Sequence, residues 1–175
     1  FPDNTVRLPE FVVPAGLTAT QALVKLSMDG LGTLGFGDNE EYLERLKSEL
    51  KVIDDRGFSK YFLTMKAIID VARKRMLVGP GRGSAAASLM AYVLGLTNID
   101  PIENGLMFER FLNPSRQGAP DIDTDVSDRD LLIELLREEF GDLNVIPISN
   151  YNTFKIKSLI KDVSRFHGIE FQEVN

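Results

Sequence analysis

Pro120-Asp121-Ile122-Asp123-Thr124-Asp125 is the most informative stretch of this sequence. Alternate side chains of an extended segment face the same way, so this spacing predicts a strand over residues 121–126 with three carboxylates on one face. Hard oxygen ligands at such spacing suit Mg²⁺. A solvated strand edge and a calcium-binding loop are the alternatives. The EF-hand loop is excluded, because Val126 and Leu132 stand where it requires Gly and Glu.

A glycine-rich stretch lies upstream, where Met76-Leu77-Val78 precedes Gly79-Pro80-Gly81-Arg82-Gly83-Ser84. This order predicts a short strand, a turn over residues 79–84 (the glycine turn) and a helix over residues 84–94. Glycines allow close approach of a ligand, and a helix N-terminus offers free amides to an anion. Arg82 and the Ser84 hydroxyl add donors suited to phosphate. The turn is no Walker A loop, and close packing of a helix on a strand is the structural alternative.

The same stretch also fits the loose dinucleotide-binding fingerprint, as Gly81-x-Gly83-x-x-Ala86 with Asp100 further on. Asp100 falls in a turn-like segment rather than at the end of a second strand, so the match is shallow. A nucleotide- or dinucleotide-binding module without catalysis therefore stays open. A phosphate-binding turn followed by spaced carboxylates is what nucleotidyl transfer requires, which favours an enzyme.

Hydrophobic periodicity predicts helices on both sides of these motifs. Leu23 and Leu26 indicate a helix that begins near Ala19 and ends at the glycines from Gly30 onward. A second helix is predicted to begin at Asp38 or Asn39 and to end at Gly57, and a third to extend up to Ala72. After the motifs, the sequence predicts a short helix over residues 106–112 and a helix from Asp128 to Phe140. A strand over residues 145–149 and a basic amphipathic helix over residues 153–166 complete the prediction. The mixture favours an α/β or α+β domain.

Composition bounds the class of protein. The 175 residues are 43% hydrophobic and 26% charged, which fits one globular domain. The absence of cysteine excludes disulfides and thiolate metal sites and fits a cytoplasmic protein. No apolar run approaches the roughly 18 residues that span a bilayer, and no signal peptide is evident, so no membrane partner is predicted. The net charge of −6 is unusual for a DNA-binding protein, although basic residues cluster at residues 73–75 and 155–165.

Several blocks in the same order and approximate spacing are similar to the alpha subunit of bacterial DNA polymerase III, the C-family replicative polymerase. They are Val78-Gly79-Pro80-Gly81-Arg82-Gly83-Ser84-Ala85-Ala86, Ile99-Asp100-Pro101, Phe108-Glu109-Arg110-Phe111-Leu112-Asn113-Pro114 and the aspartate stretch itself. Tyr61-Phe62-Leu63 upstream and Ile160-Lys161-Asp162-Val163 downstream are also similar. The resemblance extends over about residues 8–169, nearly the whole chain.

The resemblance implies an α+β fold: a palm with the polymerase-beta-like nucleotidyltransferase topology, a mixed sheet flanked by helices, over residues 1–151. Residues 152–175 would begin a helical thumb. It implies a template-directed DNA polymerase that adds deoxynucleotides to a primer 3′ end by two-metal-ion transfer. Another nucleotidyltransferase of the same superfamily is the alternative, and the long interval between glycine turn and aspartates favours the polymerase.

Site residues follow from the same resemblance. Asp121 and Asp123 are implied to be catalytic and to bind two Mg²⁺ ions, with Asp125 a less certain metal ligand. The implied nucleotide-binding residues are Arg82, Gly83, Ser84, Arg110 and Arg116. The residues expected to bind DNA are Lys155, Lys157 and Lys161. Structural ion pairs are the alternative for the arginines Arg110 and Arg116, and a solvated helix face is the alternative for the lysines.

The implied partners are primer–template DNA, dNTP, and a sliding clamp and other replisome subunits bound through regions absent from this chain. In the family a third catalytic Asp comes from a later palm strand, which this chain does not reach. We therefore expect little or no polymerase activity from the chain alone. Ala87 and Val126 depart from the usual family residues, Gly and Phe, and neither departure removes a metal ligand.

Overall fold

The computed structural model of the chain describes residue 13 and residues 16–113, 119–149, 153, 155–169 and 172. Within these residues the protein is built from helices. The α-helices are α1 (Ala19–Thr33), α2 (Glu40–Asp55), α3 (Ser59–Arg73), α4 (Leu89–Val93), α5 (Arg129–Phe140) and α6 (Ile156–Phe166). Three short 3₁₀ helices cover Gly83–Ala87, Phe108–Arg110 and Asp142–Asn144. None of the helices in the described part is both long and apolar enough to cross a membrane.

The first helix begins at Ala19 as predicted, where Thr18 and Gln21 form a reciprocal capping box. It ends at Thr33, within the predicted run of glycines, and it continues through Gly30 and Gly32. Gly30 marks the place where α1 crosses α4. A Cβ built there would lie 2.1 Å from the Val93 carbonyl oxygen, so only glycine allows the two backbones to come this close.

Helix α2 was predicted from its cap and its periodicity and α3 from its apolar residues alone, and both are confirmed. The Asn39 side chain accepts from the Glu41 amide at the start of α2, and the Gly57 amide donates to the Asp54 carbonyl beyond its end. Residues 61–64 form part of α3, which covers Ser59–Arg73. Packing of α1 on α3 and of α2 on α4 encloses one hydrophobic core, with these fully buried side chains among its members: Leu23, Leu31, Ile53, Phe62, Ile69, Leu89, Met90 and Leu96.

The prediction of one unbroken helix over residues 84–94 is wrong. A 3₁₀ helix over Gly83–Ala87 is followed by the short α4, and Ser88 between them is extended, with φ −100° and ψ 119°. The break places the Leu89 and Met90 amides against the carboxylate of Glu49, at 2.9 Å each. A tertiary partner on α2 therefore replaces the hydrogen bonds that a continuous helix would have made.

The predicted α+β fold with a mixed sheet is wrong for the described residues, which form no strand. The segments around Val78 and Val126 make one isolated antiparallel bridge. The Gly79 amide donates to the Asp125 carbonyl at 2.8 Å, and the Ser127 amide donates to the Leu77 carbonyl at 3.0 Å. Pro80 has no amide to extend the pairing on one side, and an isolated two-strand pair is marginal without further strands. The strand predicted over residues 145–149 is likewise not formed.

The later helices follow the sequence more closely. Asp128 caps α5 through the Leu131 amide at 2.9 Å, and α5 ends at Phe140 before Gly141, as predicted. The predicted basic amphipathic helix is α6, which covers Ile156–Phe166 and buries none of its residues. Its apolar side chains Ile156, Leu159, Ile160, Val163 and Phe166 are all exposed.

Candidate functional site

The glycine turn and the aspartate segment, residues 121–125, lie against each other, although they are far apart in sequence. The bridge at Val78 and Val126 aligns the two segments. A Cβ built on Gly79 would lie 3.3 Å from the Cβ of Asp125, and one built on Gly83 would lie 3.1 Å from Asp123 Oδ2. Glycine at both positions therefore lets the turn approach the carboxylates closely. The structure brings together the two motifs that the sequence identified separately.

Arg82 joins the two segments electrostatically. Its Nη1 donates to Asp123 Oδ2 at 3.1 Å, and its Nε donates to Asp125 Oδ1 at 3.3 Å. The side chain of Arg82 is 57% exposed and that of Asp123 is 39% exposed, so water screens both contacts. The guanidinium is thus loosely held beside the carboxylates and is accessible to an anionic ligand. The sequence predicted Arg82 as a phosphate contact and did not predict this pairing.

The aspartate segment is anchored between its carboxylates by one buried residue. Ile122 is 6% exposed and belongs to the core, whereas Asp121 on one side is exposed. The Tyr61 hydroxyl accepts from the Ile122 amide at 3.3 Å. Burial raises the pKa of Tyr61, and the negative charges of Asp121 and Asp123 raise it further. A neutral Tyr61 hydroxyl therefore holds the backbone from which the carboxylates project.

Gly81 fixes the middle of the glycine turn on the core. Its φ of +89° lies in the left-handed region, and a Cβ there would meet Thr97 Cγ2 at 2.8 Å and Thr97 Cα at 3.2 Å. The Asn98 amide donates to the Pro80 carbonyl at 2.7 Å beside this contact. Because Thr97 is buried, it cannot move away from a new methyl group without disturbing the core.

We expect Gly81→Ala to lower the free energy of unfolding by about 2–4 kcal/mol, combining left-handed strain with overpacking against Thr97. Urea denaturation measures it. Gly105→Ala is the matched control, since Gly105 also has a positive φ, of +61°, but nothing within 4 Å of a built Cβ. Only the strain, about 1–2 kcal/mol, is expected there. Equal losses in the two variants would contradict the close contact with Thr97.

A buried ion pair behind the glycine turn was not identified from the sequence. Glu49 is fully buried on α2 and accepts from Arg45 Nε at 2.8 Å and from Ser88 Oγ at 2.9 Å, besides the amides described above. Burial raises the pKa of Glu49, and these donors act in the opposite direction. The sequence nevertheless indicates a buried role for Glu49, because it falls on the same helix face as Leu46 and Ile53, where an apolar residue is expected.

Asp100 does not serve as the acidic residue of a dinucleotide site. It is 6% exposed and accepts from the Tyr42 hydroxyl at 2.6 Å and from the Ile102 amide at 2.9 Å. Burial raises the pKa of Tyr42, and its hydrogen bond to Asp100 contributes. The hydrogen bonds of this carboxylate therefore hold α2 against the turn over residues 101–105. Because the carboxylate is buried, it cannot bind a ribose hydroxyl.

The other predicted site residues are placed unevenly. Gly83 and Ser84 begin the first 3₁₀ helix and are exposed beside Asp123. Arg110 is exposed at the end of the second 3₁₀ helix, which packs against the first. Arg116 lies outside the described residues. The predicted DNA-binding residues Lys155, Lys157 and Lys161 lie on or next to α6, and their role stays a prediction.

The described residues contain no group of three or more acidic, histidine or cysteine side chains converging as a metal site. The aspartates instead project from one segment, with Asp123 and Asp125 shared by Arg82. Magnesium commonly takes only one or two carboxylates and completes its octahedron with water and substrate phosphate. Asp121 and Asp123 fit that requirement, because both are hard oxygen donors accessible to solvent.

Known proteins resemble this chain over almost its whole length. The family model described as bacterial DNA polymerase III alpha NTPase domain matches residues 21–175. The DNA polymerase III subunit alpha of Aquifex aeolicus is 43% identical over 178 residues, covering 98% of this chain and 15% of that protein. The protein of the same name from Ureaplasma parvum is 42% identical, covering 99% of this chain and 19% of that protein. That of Thermus aquaticus is 50% identical over 133 residues, covering 74% of this chain and 11% of that protein. The chain thus spans less than a fifth of the length of these relatives.

Proposed function

Because this chain belongs to the family of bacterial DNA polymerase III alpha subunits, we propose that it supplies carboxylates and triphosphate-binding groups to template-directed DNA synthesis. Family membership confirms the resemblance noted in the sequence motifs. The observation that carries the proposal is the contact between the glycine turn and the aspartate segment, made through Arg82 and Asp123 at 3.1 Å. Nucleotidyl transfer needs a phosphate-binding group and metal-binding carboxylates side by side, which this contact supports.

In this proposal Asp121 and Asp123 hold Mg²⁺, and Asp125 is a secondary ligand. When bound, two Mg²⁺ ions activate the primer hydroxyl and neutralise charge on the triphosphate and the leaving pyrophosphate. The Ser84 hydroxyl, exposed at the start of the 3₁₀ helix, would donate to the triphosphate. Arg82 is the natural partner for a phosphate oxygen, since it already lies within reach of the carboxylates that would hold the metal. Arg110 and Arg116 complete the proposed cationic lining.

The proposal assigns residues 1–151 to the catalytic portion and residues 152–175 to the start of a DNA-contacting portion. Lys155, Lys157 and Lys161 would then pair with backbone phosphates of primer–template DNA, an interaction that weakens as salt rises. Clamp and replisome contacts are proposed for other parts of an intact subunit. A protein with this function would be located in the cytoplasm.

We expect dATP with Mg²⁺ to raise the melting temperature of the chain, whereas NAD with Mg²⁺ leaves it unchanged, because only a ligand that binds the folded state stabilises it. Thermal-shift measurements over a concentration series check this, and at a concentration of about 100 times the dissociation constant the stabilisation would be about 2.7 kcal/mol. Mg²⁺ alone is the reference. Stabilisation by NAD and not by dATP would support the dinucleotide-binding alternative.

We also expect little or no primer extension by the isolated chain, because the proposed site needs a third carboxylate and no third acidic side chain converges with Asp121 and Asp123 among the described residues. Robust extension would show that a residue within the chain completes the site. Addition of nucleotides to RNA or to a small molecule, with none to a DNA primer in an intact subunit, would favour the other nucleotidyltransferases of the superfamily.

A further inference from the structure

Arg45 connects three parts of the chain from its position on α2. Its Nη2 donates to the Ala87 carbonyl at 3.0 Å and to the Leu106 carbonyl at 3.0 Å. Its Nε donates to Glu49 Oε1 at 2.8 Å. One guanidinium thus satisfies two backbone carbonyls and one carboxylate, an arrangement that uses the planar fork of arginine.

The two carbonyls belong to the segments that carry the proposed triphosphate contacts. Ala87 is the last residue of the 3₁₀ helix that begins with Gly83 and Ser84. Leu106 comes just before the 3₁₀ helix that ends at Arg110. The two 3₁₀ helices pack against each other, and Arg45 donates to one carbonyl beside each of them. Its hydrogen bonds therefore fix how far apart the two segments lie.

Glu49 fixes Arg45 in turn. Its side chain is 1% exposed, whereas that of Arg45 is 26% exposed, so the carboxylate is the buried member of the pair. It accepts from the Leu89 and Met90 amides and from Ser88 Oγ, all at 2.9 Å, which locks its orientation. The Glu49 carboxylate is held in place by three neutral donors besides the guanidinium of Arg45. Because Arg45 donates to this fixed acceptor, its side chain has few rotamers available.

We propose that Arg45, oriented by Glu49, is a positioning residue that sets the distance between the Ser84 and Arg110 segments and thereby the affinity for a nucleoside triphosphate. This inference rests on the proposed function. Arg45 touches no ligand in it and acts through the two carbonyls. A lysine at position 45 keeps the charge beside Glu49, but its compact ammonium cannot reach both carbonyls and the carboxylate in one geometry.

The test compares the chain with Arg45→Lys by two measurements. Amide hydrogen exchange without ligand is expected to become faster in both residues 83–87 and residues 107–110, with α1 unchanged. The dissociation constant for dATP with Mg²⁺ is expected to rise about tenfold, as when groups that support binding residues are lost. Asn39→Ala is the control, because it removes the side-chain cap of the same helix without touching Arg45 or the turn over residues 101–105. It should leave both the exchange of these segments and the affinity for dATP unchanged.

Unchanged exchange in either segment of Arg45→Lys would overturn the inference, as would an equal loss of affinity in Asn39→Ala, which would indicate general destabilisation of α2. Should Arg45→Lys fail to fold, the double variant Arg45→Gln with Glu49→Gln removes both charges together and is judged by the same two measurements. Failure of the unaltered chain to bind dATP would refute the proposed function and the effect on affinity with it, while the exchange data would still decide whether Arg45 couples the two segments.

Discussion

In a full-length polymerase III alpha subunit carrying this sequence, Asp121→Asn or Asp123→Asn is expected to lower nucleotide incorporation by about a thousandfold. Each change replaces an anionic metal ligand by a neutral amide. Metal binding contributes several kcal/mol of charge stabilisation to phosphoryl chemistry, and about 4 kcal/mol corresponds to three orders of magnitude in rate. The measurement is single-nucleotide incorporation on a primer–template at saturating dNTP.

The fold should survive both changes, since Asp121 and Asp123 are accessible to water and the Arg82 contact is a screened surface pair. Circular dichroism and thermal melting check this. Asp128→Asn is the matched control: the same chemical change a few residues away, at the cap of α5, where asparagine serves as well as aspartate. Near-normal synthesis by Asp121→Asn or Asp123→Asn would refute the metal assignment.

Glu49→Ala is expected to destabilise the chain by about 3–5 kcal/mol, because two buried amides each lose their acceptor at a cost of about 1–3 kcal/mol. The substitution leaves the Leu89 and Met90 amides without their acceptor and Arg45 without its carboxylate, all behind the glycine turn. Urea denaturation gives the free energy of unfolding.

Glu44→Ala on the same helix is the comparison for that measurement, because Glu44 is exposed and its loss should change stability by no more than about 0.5 kcal/mol. A loss below about 1 kcal/mol in Glu49→Ala would show that water replaces the carboxylate easily. The role assigned to Arg45 would then lack its support.

The elements that could be predicted from the sequence are those whose ends are determined locally. Asn39 and Asp128 cap the helices that follow them through their own side chains, so their positions required no knowledge of tertiary structure. The packing role of Gly30 could not be predicted, because it is set by Val93, a residue on another helix. The break at Ser88 was missed for the same reason, since its cause is Glu49.

The prediction of a sheet was wrong because side chains can alternate between two faces along an extended segment that is not part of a β-sheet. Ile122 points into the core while Asp121 is exposed, as the pattern predicted. A strand also needs a partner along its length, and the partner available to the aspartate segment pairs only around Val78. For the site, the proximity of the glycine turn and the aspartate segment was predictable, because nucleotidyl transfer needs phosphate-binding groups and carboxylates side by side. The pairing of Arg82 with Asp123 and Asp125 depends on loop geometry that no spacing rule supplies.

The bridge between Val78 and Val126 has a consequence for when the site exists. Two backbone hydrogen bonds join the segments there, and the buried side chain of Ile122 holds the aspartate segment on the core. Much of the chain between the two segments is itself packed in the core through α4, so the glycine turn and the aspartate segment are held side by side before any ligand binds. A ligand that contacts both segments would therefore spend little of its affinity on bringing them together.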